Sequence, residues 1–415
     1  MRYHLITFGC QMNKSDSERI ATVLEKKGYK EASNINEADL IVLNMCSVRQ
    51  SAVNRVYGKI RNLATLKAKN KKPKIMLTGC ILNKDRKRLA ENAKNFDFIL
   101  NIKDFEKLTK IQPKYSNNFS AFIPISNGCN NTCAYCVVPF TRGKLISRDH
   151  REILKEAKQL IKKGFKEYWL LGQNVNNYQS PANHSIDFSK LLKMINDILG
   201  NFWIRFTSPH PKNFSDELIE TIAKSKKITP YLNLPVQSGD NEVLKRMNRS
   251  YTIEQYKKLV KKIKNSFKKY RNGLEKEIAL STDVIVGFPD ETKKQFQNTV
   301  KLFKEIGFDM AYLAQYSPRP GTAALKFKDN VSHQEKERRW KILNKILEET
   351  ALKKNENYLG KEIEVLVEEE KDGFLIGKSR HYKTVTIEGQ KNLIGQFVKV
   401  KITTALPWSL KANLS

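Results

Sequence analysis

The sequence predicts an α/β protein of three domains: an N-terminal parallel α/β domain, a central partial (β/α)6 barrel and a small C-terminal antiparallel β-barrel. Its 415 residues suffice for two to four domains. Short apolar strands alternate with helical patterns through the first two domains, and this alternation favours parallel sheets. The final part instead shows short strands separated by Gly or Asp turns, a pattern typical of small barrels.

The N-terminal domain is predicted for residues 1–115. Its strand candidates are Tyr3–Phe8, Leu40–Asn44, Lys74–Thr78 and Phe98–Leu100. Apolar residues recur at helical spacing between them, as at Val53, Val56 and Ile60. A polar stretch over residues 112–118 breaks the pattern and ends the domain.

The central domain is predicted for residues 116–348. Its strand candidates are Ala121–Ser126, Glu167–Leu171, Trp203–Phe206, Tyr231–Pro235, Ile278–Val286 and Met310–Tyr316. Six βα units are two short of the eight in a complete TIM barrel, so the sequence predicts a partial barrel. A long charged helix over Ser332–Tyr358 is expected to lead into the next domain.

The C-terminal domain is predicted for residues 349–415. Its strand candidates are Glu362–Val367, Gly373–Gly377, Thr384–Glu388 and Gln396–Ile402. Strands this short, with turns between them, suit a small barrel of OB-like size.

Composition excludes several classes of protein. No apolar run approaches the roughly 18 residues of a membrane span, and the N-terminus is too polar for a signal peptide. We therefore expect a cytoplasmic protein without membrane association. Lys and Arg number 75 against 43 Asp and Glu, a net charge of +32. Such a charge attracts polyanions, although a Lys-rich composition alone also produces it.

Six cysteines are too few for a disulfide framework and point to metal binding or catalysis. Cys129, Cys133 and Cys136 follow a predicted strand with the spacing C-x3-C-x2-C. Three thiolates can hold three irons of a [4Fe–4S] cluster and leave the fourth iron open. A zinc site is the alternative, but it would need a fourth ligand, and the nearest histidine is His150.

Cys10, Cys46 and Cys80 each lie one or two residues beyond a predicted parallel strand. The carboxyl ends of parallel strands meet at one edge of a sheet, where ligands bind. The sequence therefore predicts a second [4Fe–4S] cluster with an exchangeable iron. Three inert buried thiols are the alternative interpretation.

The chain resembles the radical S-adenosylmethionine (SAM) methylthiotransferases over its whole length. The matching runs are Gly9–Asn13, Asn44–Arg49, Thr78–Cys80, Gly128–Gly143, Leu171–Asn176, Arg205–Pro211, Leu234–Gly239, Val286–Thr292 and Tyr316–Thr322. The resemblance implies an N-terminal methylthiotransferase domain, a radical-SAM core and a C-terminal TRAM domain that binds RNA.

The resemblance also implies an activity: methylthiolation of carbon 2 of N(6)-isopentenyladenosine at tRNA position 37. The Cys129 cluster would cleave one SAM to a 5′-deoxyadenosyl radical, and the Cys10 cluster would carry sulfur that a second SAM methylates. Implied partners are a tRNA with isopentenyladenosine beside its anticodon, a ferredoxin- or flavodoxin-type electron donor and a sulfur donor. A monomer is expected.

Further candidate residues follow from position. Tyr135 precedes the third cysteine, as is typical of the signature, and Gln173, Asn174 and Gln237 lie at carboxyl ends of barrel strands, where SAM is expected. A basic stripe between residues 378 and 401 predicts RNA-stem contacts by Lys378, Arg380 and Lys383. His210 is predicted either to line the substrate pocket or to hold a loop.

Two alternatives stay open at this point. The first is a sibling methylthiotransferase that acts on threonylcarbamoyl-adenosine in tRNA or on an aspartate of a ribosomal protein. The second, from another class, is a non-catalytic RNA-binding iron–sulfur protein, which would leave two open irons unexplained.

Overall fold

The computed structural model describes residues 1–48, 50–67, 73–82, 85, 98–99 and 105–415. Within this part, the N-terminal domain contains β1 (Arg2–Phe8), α1 (Gln11–Lys26), β2 (Lys30–Glu31), β3 (Leu40–Cys46), α2 (Gln50–Lys67), β4 (Lys74–Cys80), β5 (Phe98–Ile99) and α3 (Phe105–Thr109). The strands form one parallel sheet in the order β2-β1-β3-β4-β5. The predicted parallel α/β domain is thereby confirmed; Leu100 and Arg49 lie outside the described residues.

Strands β3 and β4 are longer than the sequence predicts. Their pairing continues to Cys46 opposite Cys80, and the backbone N–H of Ser47 then donates to the carbonyl of Cys80 at 2.8 Å. These backbone bonds keep the strand geometry for two residues past Asn44 and Thr78. Cys46 and Cys80 are therefore the last residues of their strands rather than residues beyond them.

The central domain contains β6 (Ser120–Pro124), β7 (Ser126–Asn127), α4 (Val138–Arg142), β8 (Ile146–Ser147), α5 (His150–Lys162), β9 (Glu167–Leu171), α6 (Phe188–Asn196), β10 (Trp203–Phe206), α7 (Asp216–Lys224), β11 (Tyr231–Asn233), α8 (Asn241–Arg246), α9 (Ile253–Tyr270), β12 (Ala279–Val286), α10 (Lys293–Ile306), β13 (Met310–Gln315) and α11 (His333–Glu356). Strands β6, β9 and β10 form one parallel sheet, and β11, β12 and β13 form another. A parallel bridge between Ile204 and Ile228 connects the two sheets, which gives the predicted six-stranded partial barrel.

The C-terminal domain contains β14 (Glu362–Lys371), β15 (Phe374–Ser379), β16 (Thr384–Ile387), β17 (Phe397–Ala405) and β18 (Ser409–Leu414). These strands close into a barrel in the order β14-β15-β16-β18-β17. One pairing, β16 with β18, is parallel, so the barrel is not wholly antiparallel. The sequence did not predict β18, because only Leu410 and Ala412 of this strand are buried and its alternation is short.

Helix α11 runs through the predicted boundary between residues 348 and 349. Its residues Leu343 and Leu347 are buried in the core of the central domain, while Asn355 donates to the carbonyl of Leu406 in the C-terminal barrel at 2.7 Å. The helix thus belongs structurally to both domains. No helix of the described residues has the length and apolar character that crossing a membrane requires.

The C-terminal barrel covers the end of the central barrel at which the strands begin. The fully buried Arg205 donates to the carbonyls of Ser379 and Arg380 at 2.8 and 3.0 Å. The Tyr382 ring packs against the rings of Trp169 and Tyr231, with centroids 5.1 and 4.8 Å apart. The carboxyl ends of the strands are left facing the cysteines.

Candidate metal centres

The cysteines of the N-terminal domain lie at the carboxyl edge of its sheet. Cys46 and Cys80 are opposite each other on β3 and β4. Cys10 is the N-cap residue of α1, and burial, followed by the nearby Cys80 thiol, raises the pKa of Cys10. Gly79 has φ +111°, and a Cβ there would collide with the carbonyl of Met45. The close approach of the two strands at the cysteines thus requires glycine.

A buried amide network holds these cysteines together. The Asn13 side chain accepts from the backbone N–H of Cys10 at 3.3 Å and donates to Asn44 Oδ1 at 3.1 Å. The same amide nitrogen lies 3.7 Å from Cys80 Sγ. Asn13 is fully buried, so its bonds form away from competing water. One side chain therefore contacts the segments that carry all three cysteines.

The cysteines of the central domain lie in the loop between β7 and α4. The backbone N–H of Cys136 donates to the carbonyl of Cys133 at 3.0 Å, and that of Cys129 donates to the carbonyl of Gly143 at 3.1 Å. Arg249 donates to Cys133 Sγ at 3.4 Å. All three cysteines are half-buried, so the loop presents its thiols without sealing them in the core.

The surroundings fit a ligand that carries positive charge. Burial raises the pKa of Cys136 to about 12, and it also raises the pKa of Cys129 and of Cys10. A thiolate in such surroundings needs a compensating cation, which iron supplies when bound. Among the described residues, no three His, Cys, Asp or Glu side chains are placed to hold a single metal ion.

The SAM candidates lie around the central cysteine loop. Gln173 accepts a hydrogen bond from the backbone N–H of Gly128, next to Cys129. Asn174 is buried, and its Oδ1 has no hydrogen-bond partner among the described residues. Gln237 has φ +70° and bridges to β12, where its N–H donates to the carbonyl of Asp283 at 2.8 Å. An unpartnered buried oxygen is costly, so Asn174 fits a bound ligand that donates to it.

Tyr135 belongs to the same loop and packs against the apolar cluster that contains Phe288 and Tyr316. Burial raises its pKa well above the usual tyrosine range, while the nearby Arg249 acts in the opposite direction. The ring therefore stays neutral and forms an apolar wall next to Cys136. The structure brings Tyr135, Gln173 and the cysteines together in one region of the barrel mouth.

Three polar residues near the centres were not singled out from the sequence. Arg249 follows α8 and donates a hydrogen bond to Cys133 Sγ. Asn233, on β11, donates to Asp283 Oδ2 at 3.1 Å, and its Oδ1 has no hydrogen-bond partner among the described residues. Arg142 ends α4 and donates to Cys80 Sγ at 2.9 Å. Arg142 lies inside the run Gly128–Gly143, but nothing in that run indicates which distant atom it contacts.

His210 has a structural role in the loop after β10. Its ring accepts from the backbone N–H of Lys212 at 3.2 Å, and its own backbone N–H donates to Asn176 at 2.7 Å. Burial, with Arg249 and Lys212 nearby, lowers the pKa of His210 to about 3. Of the two predicted roles, these contacts correspond to holding the loop.

The basic residues predicted to contact RNA have partners inside the protein instead. Lys383 pairs with Asp309 at 2.8 Å, and Arg380 pairs with Glu275 at 2.5 Å. Lys378 donates to Thr384 at 2.7 Å and is largely buried, which lowers its pKa. The sequence could not distinguish these positions from an exposed stripe, because the central domain that covers them is distant in sequence.

Comparisons with known proteins agree with this architecture. Residues 2–101 match the family model described as uncharacterized protein family UPF0004, residues 123–303 match the radical SAM superfamily, and residues 356–414 match the TRAM domain. A solved radical S-adenosylmethionine methyltransferase, TsrM from Kitasatospora setae, superimposes with a TM-score of 0.55 over 78% of this chain and 73% of that one, at 14% identity. The chain is thus a radical-SAM protein with a C-terminal TRAM domain.

Curated relatives narrow this class. A tRNA-2-methylthio-N(6)-dimethylallyladenosine synthase from Clostridium botulinum (strain Langeland) is 41% identical, with 98% of this chain and 96% of the relative covered. The synthase of the same name from Dictyoglomus thermophilum is 39% identical, with 100% and 98% covered. The chain belongs to the family of tRNA-2-methylthio-N(6)-dimethylallyladenosine synthases. Membership of the radical SAM superfamily implies one [4Fe–4S] cluster and SAM.

Proposed function

We propose that the protein methylthiolates carbon 2 of N(6)-isopentenyladenosine at position 37 of tRNA, as the names of its relatives indicate for them. The observation that carries the proposal is the closeness of two separate cysteine triads. Helix α4 begins two residues after Cys136 and ends at Arg142, which contacts Cys80. Its five residues span only about 7–8 Å at 1.5 Å per residue.

Cys10, Cys46 and Cys80 are proposed to bind a second [4Fe–4S] cluster. The donor set is three thiols at one sheet edge, and thiolate is the usual ligand of such clusters. Cys129, Cys133 and Cys136 are proposed to bind the cluster that holds SAM. When bound, the two clusters and SAM supply the radical, the sulfur and the methyl group that the side chains cannot provide.

The protein's own residues are proposed to position SAM and exclude water. Gln173 fixes the loop at Gly128 through its side-chain oxygen, and Tyr135 supplies an apolar wall. The unpartnered Oδ1 atoms of Asn174 and Asn233 are acceptors for the amino or hydroxyl groups of SAM. Gln237 is held by backbone bonds to β12 at the same end of the barrel.

An exposed apolar rim near both triads is proposed to receive the modified adenosine. Val48 follows Cys46 by two residues and is 39% exposed, and Phe140, within α4, is 54% exposed. Arg319 donates a hydrogen bond to the carbonyl of Ser47, the residue before Val48. Gly321, two residues after Arg319, lies against the Phe140 ring. The loop of Arg319 and Gly321 therefore lies next to both exposed apolar residues. Adenine stacks on aromatic rings, and an isopentenyl group favours apolar contact.

The surface for the tRNA backbone is proposed to lie on β17 and β18. Lys399 and Lys401 alternate outward on β17, and Lys411 is exposed on the neighbouring strand. On β14, Glu362 and Glu364 face Lys401 and Lys399, and Glu362 pairs with Lys399 at 3.5 Å across this exposed edge. We propose these lysines as phosphate contacts in addition to the predicted Lys378, Arg380 and Lys383, whose side chains already have partners inside the protein.

Two further partners are proposed on chemical grounds. Reductive cleavage of SAM consumes an electron, which a ferredoxin- or flavodoxin-type protein would deliver. Each turnover inserts one sulfur atom into the product, so a sulfur donor must replace that atom in the enzyme before the next turnover. We keep the monomeric state and the cytoplasmic location as predictions.

The experiment that tests the proposal is nucleoside analysis of tRNA from cells that lack this chain. We expect loss of 2-methylthio-N(6)-isopentenyladenosine with N(6)-isopentenyladenosine retained, and recovery when the wild-type chain is returned. Unchanged tRNA would refute the proposal. A change confined to threonylcarbamoyl-adenosine would instead support the sibling activity.

A further inference from the structure

We propose that Arg142 is a positioning residue for the second cluster: it donates a hydrogen bond to the sulfur of Cys80 and sets the reduction potential of that cluster. The inference rests on the proposed function, because it requires a cluster on Cys10, Cys46 and Cys80. It concerns a residue of the central domain that acts on a centre held by the N-terminal domain.

The guanidinium of Arg142 uses each of its three nitrogens on a different partner. Nε donates to Cys80 Sγ at 2.9 Å, Nη1 donates to Asn127 Oδ1 at 3.0 Å, and Nη2 pairs with Asp16 Oδ2 at 2.6 Å. Asp16 belongs to the N-terminal domain, whereas Asn127 precedes the loop of Cys129. The planar fork is therefore held from both domains while one N–H points at the sulfur.

All groups in this network are shielded from water. Arg142 is 8% exposed, Asp16 is 5% exposed, and Asn127 and Cys80 are also buried. A charge-assisted hydrogen bond in such surroundings is stronger than one at the surface.

Hydrogen bonds to ligand sulfurs and nearby positive charge are among the features that set the potential of iron–sulfur clusters. A cation next to the thiolate favours the reduced, more negative state of the cluster. Arg142 should therefore raise the reduction potential of the second cluster. Groups around metal ligands commonly act in this way without binding the metal themselves.

The same interface offers a matched control. Arg19 is also buried and crosses between the domains, where it pairs with Glu156 at 3.3 Å and donates to Ser15 Oγ at 2.6 Å. Arg19 bonds to no cysteine in the described structure. A variant at Arg19 thus weakens domain docking without removing a bond to a cluster ligand.

The test is a redox titration of the full-length reconstituted protein, followed by electron paramagnetic resonance. Signals are assigned with the Cys80→Ala and Cys133→Ala proteins, each expected to lack one cluster. Arg142→Gln should shift the second cluster to a more negative potential and leave the SAM cluster unchanged. Arg142→Lys keeps the charge but cannot reach all three partners, so it should shift the same cluster less. Arg19→Gln should shift neither.

Other outcomes overturn the inference. The inference is overturned if the reduction potential of the second cluster is unchanged in Arg142→Gln. It is also overturned if Arg142→Gln and Arg19→Gln shift this potential equally, because weakened contact between the domains would then explain both shifts. If Arg142→Gln does not fold, an unchanged second-cluster potential in Arg142→Lys overturns the inference. Wild-type protein with iron for only one cluster would refute the second cluster itself, a failure of the proposed function that iron analysis distinguishes.

Discussion

A buried side-chain amide at the mouth of the central barrel, that of Asn174, offers a hydrogen-bond acceptor to a ligand. Asn174 is 2% exposed, yet its Oδ1 has no partner among the described residues. Leaving such an oxygen unpaired costs about 1–3 kcal/mol, and a ligand that donates a hydrogen bond to it would remove this cost. Asn174 lies three residues after β9 and next to Gln173, which contacts the Cys129 loop, so we propose SAM as that ligand.

We predict that Asn174→Ala weakens SAM binding by about tenfold, equivalent to the removal of one hydrogen bond of about 1.4 kcal/mol. Equilibrium binding of SAM to the reconstituted protein measures this effect. Asn355→Ala is the matched control, because Asn355 Oδ1 is likewise buried and unpartnered among the described residues but lies at the junction with the C-terminal barrel. Equal SAM affinity in wild type and Asn174→Ala would contradict the assignment.

Phe140 is the exposed aromatic residue of α4. If it stacks on the adenosine, Phe140→Ala should remove about 1–3 kcal/mol of stacking energy. We expect kcat/KM for tRNA to fall by about 5- to 150-fold, the same energy expressed as a ratio, while 5′-deoxyadenosine formation without tRNA stays unchanged. Leu199→Ala removes another exposed apolar side chain, 88% exposed on the central domain, and should have no effect. A parallel decrease in both variants would remove the basis for the proposed rim.

The sequence singles out the candidate ligands but not the residues that surround them. The six cysteines could be proposed as ligands because of their spacing, or because of their position after predicted strands. Arg142, Arg249 and Asn233 were not identified, because their bonds join segments that are far apart in the chain. The ion pair of Lys383 could not be predicted for the same reason, because its partner Asp309 lies in another domain. From the sequence alone, Lys383 is one member of a basic stripe.

At the scale of elements, the turn between β15 and β16 joins the C-terminal barrel to the central barrel. It places Tyr382 against Trp169 and Tyr231, and Arg205 stacks over the Tyr382 ring at 5.0 Å. Strand β14 adds Glu368 to this junction. The strands of both barrels were predictable from alternation, with the exception of β18, but the way in which one barrel closes the other was not, since no local pattern encodes it.

Glu368 makes the junction sensitive to pH. Burial, and secondarily Glu167, raise its pKa from 4.5 to about 7, with Lys378 and Arg205 acting in the opposite direction. A carboxyl whose pKa is raised on folding favours the folded state fully below about pH 4.5, and this contribution disappears as pH rises through 7. Glu368→Gln should therefore stabilise the protein at pH 8.5 by about 1–2 kcal/mol, after allowance for partial exposure, and less at pH 6.

Thermal unfolding of the anaerobic protein at the two pH values measures this difference. Glu369→Gln is the control, because Glu369 is the exposed neighbour on the same strand. Equal shifts of the Glu368→Gln midpoint at both pH values would contradict the prediction, and so would a Glu369→Gln protein that reproduced the effect.

Strands β17 and β18 are expected to bind phosphates. Replacing Lys399, Lys401 and Lys411 with glutamate should weaken tRNA binding and flatten its salt dependence, by about 0.7–0.9 in the log–log slope for each phosphate that is no longer neutralised. Filter binding at several salt concentrations measures both quantities. The same charge change at Lys158, Lys162 and Lys163, exposed on or just after α5, is the control. Equal effects would indicate only the change in net charge.

At the scale of the whole molecule, buried arginines join the two cysteine-bearing domains. Arg142 pairs with Asp16, Arg19 with Glu156, and Arg319 with Asp85. Removing one partner of such a pair leaves an uncompensated buried charge, which costs about 3–5 kcal/mol. These pairs position the N-terminal domain against the central domain, and the proposed reaction, which uses both triads on one nucleoside, depends on such positioning.

The most direct measurement of the central claim compares wild type with Cys80→Ala in vitro. Each reconstituted protein is incubated with SAM, a reductant and tRNA that contains N(6)-isopentenyladenosine, and the small-molecule products and nucleosides are analysed by mass spectrometry. We predict that wild type forms both 5′-deoxyadenosine and the 2-methylthio nucleoside, whereas Cys80→Ala forms 5′-deoxyadenosine alone. A Cys80→Ala protein that still produced the 2-methylthio nucleoside would contradict the assignment of sulfur insertion to the N-terminal triad.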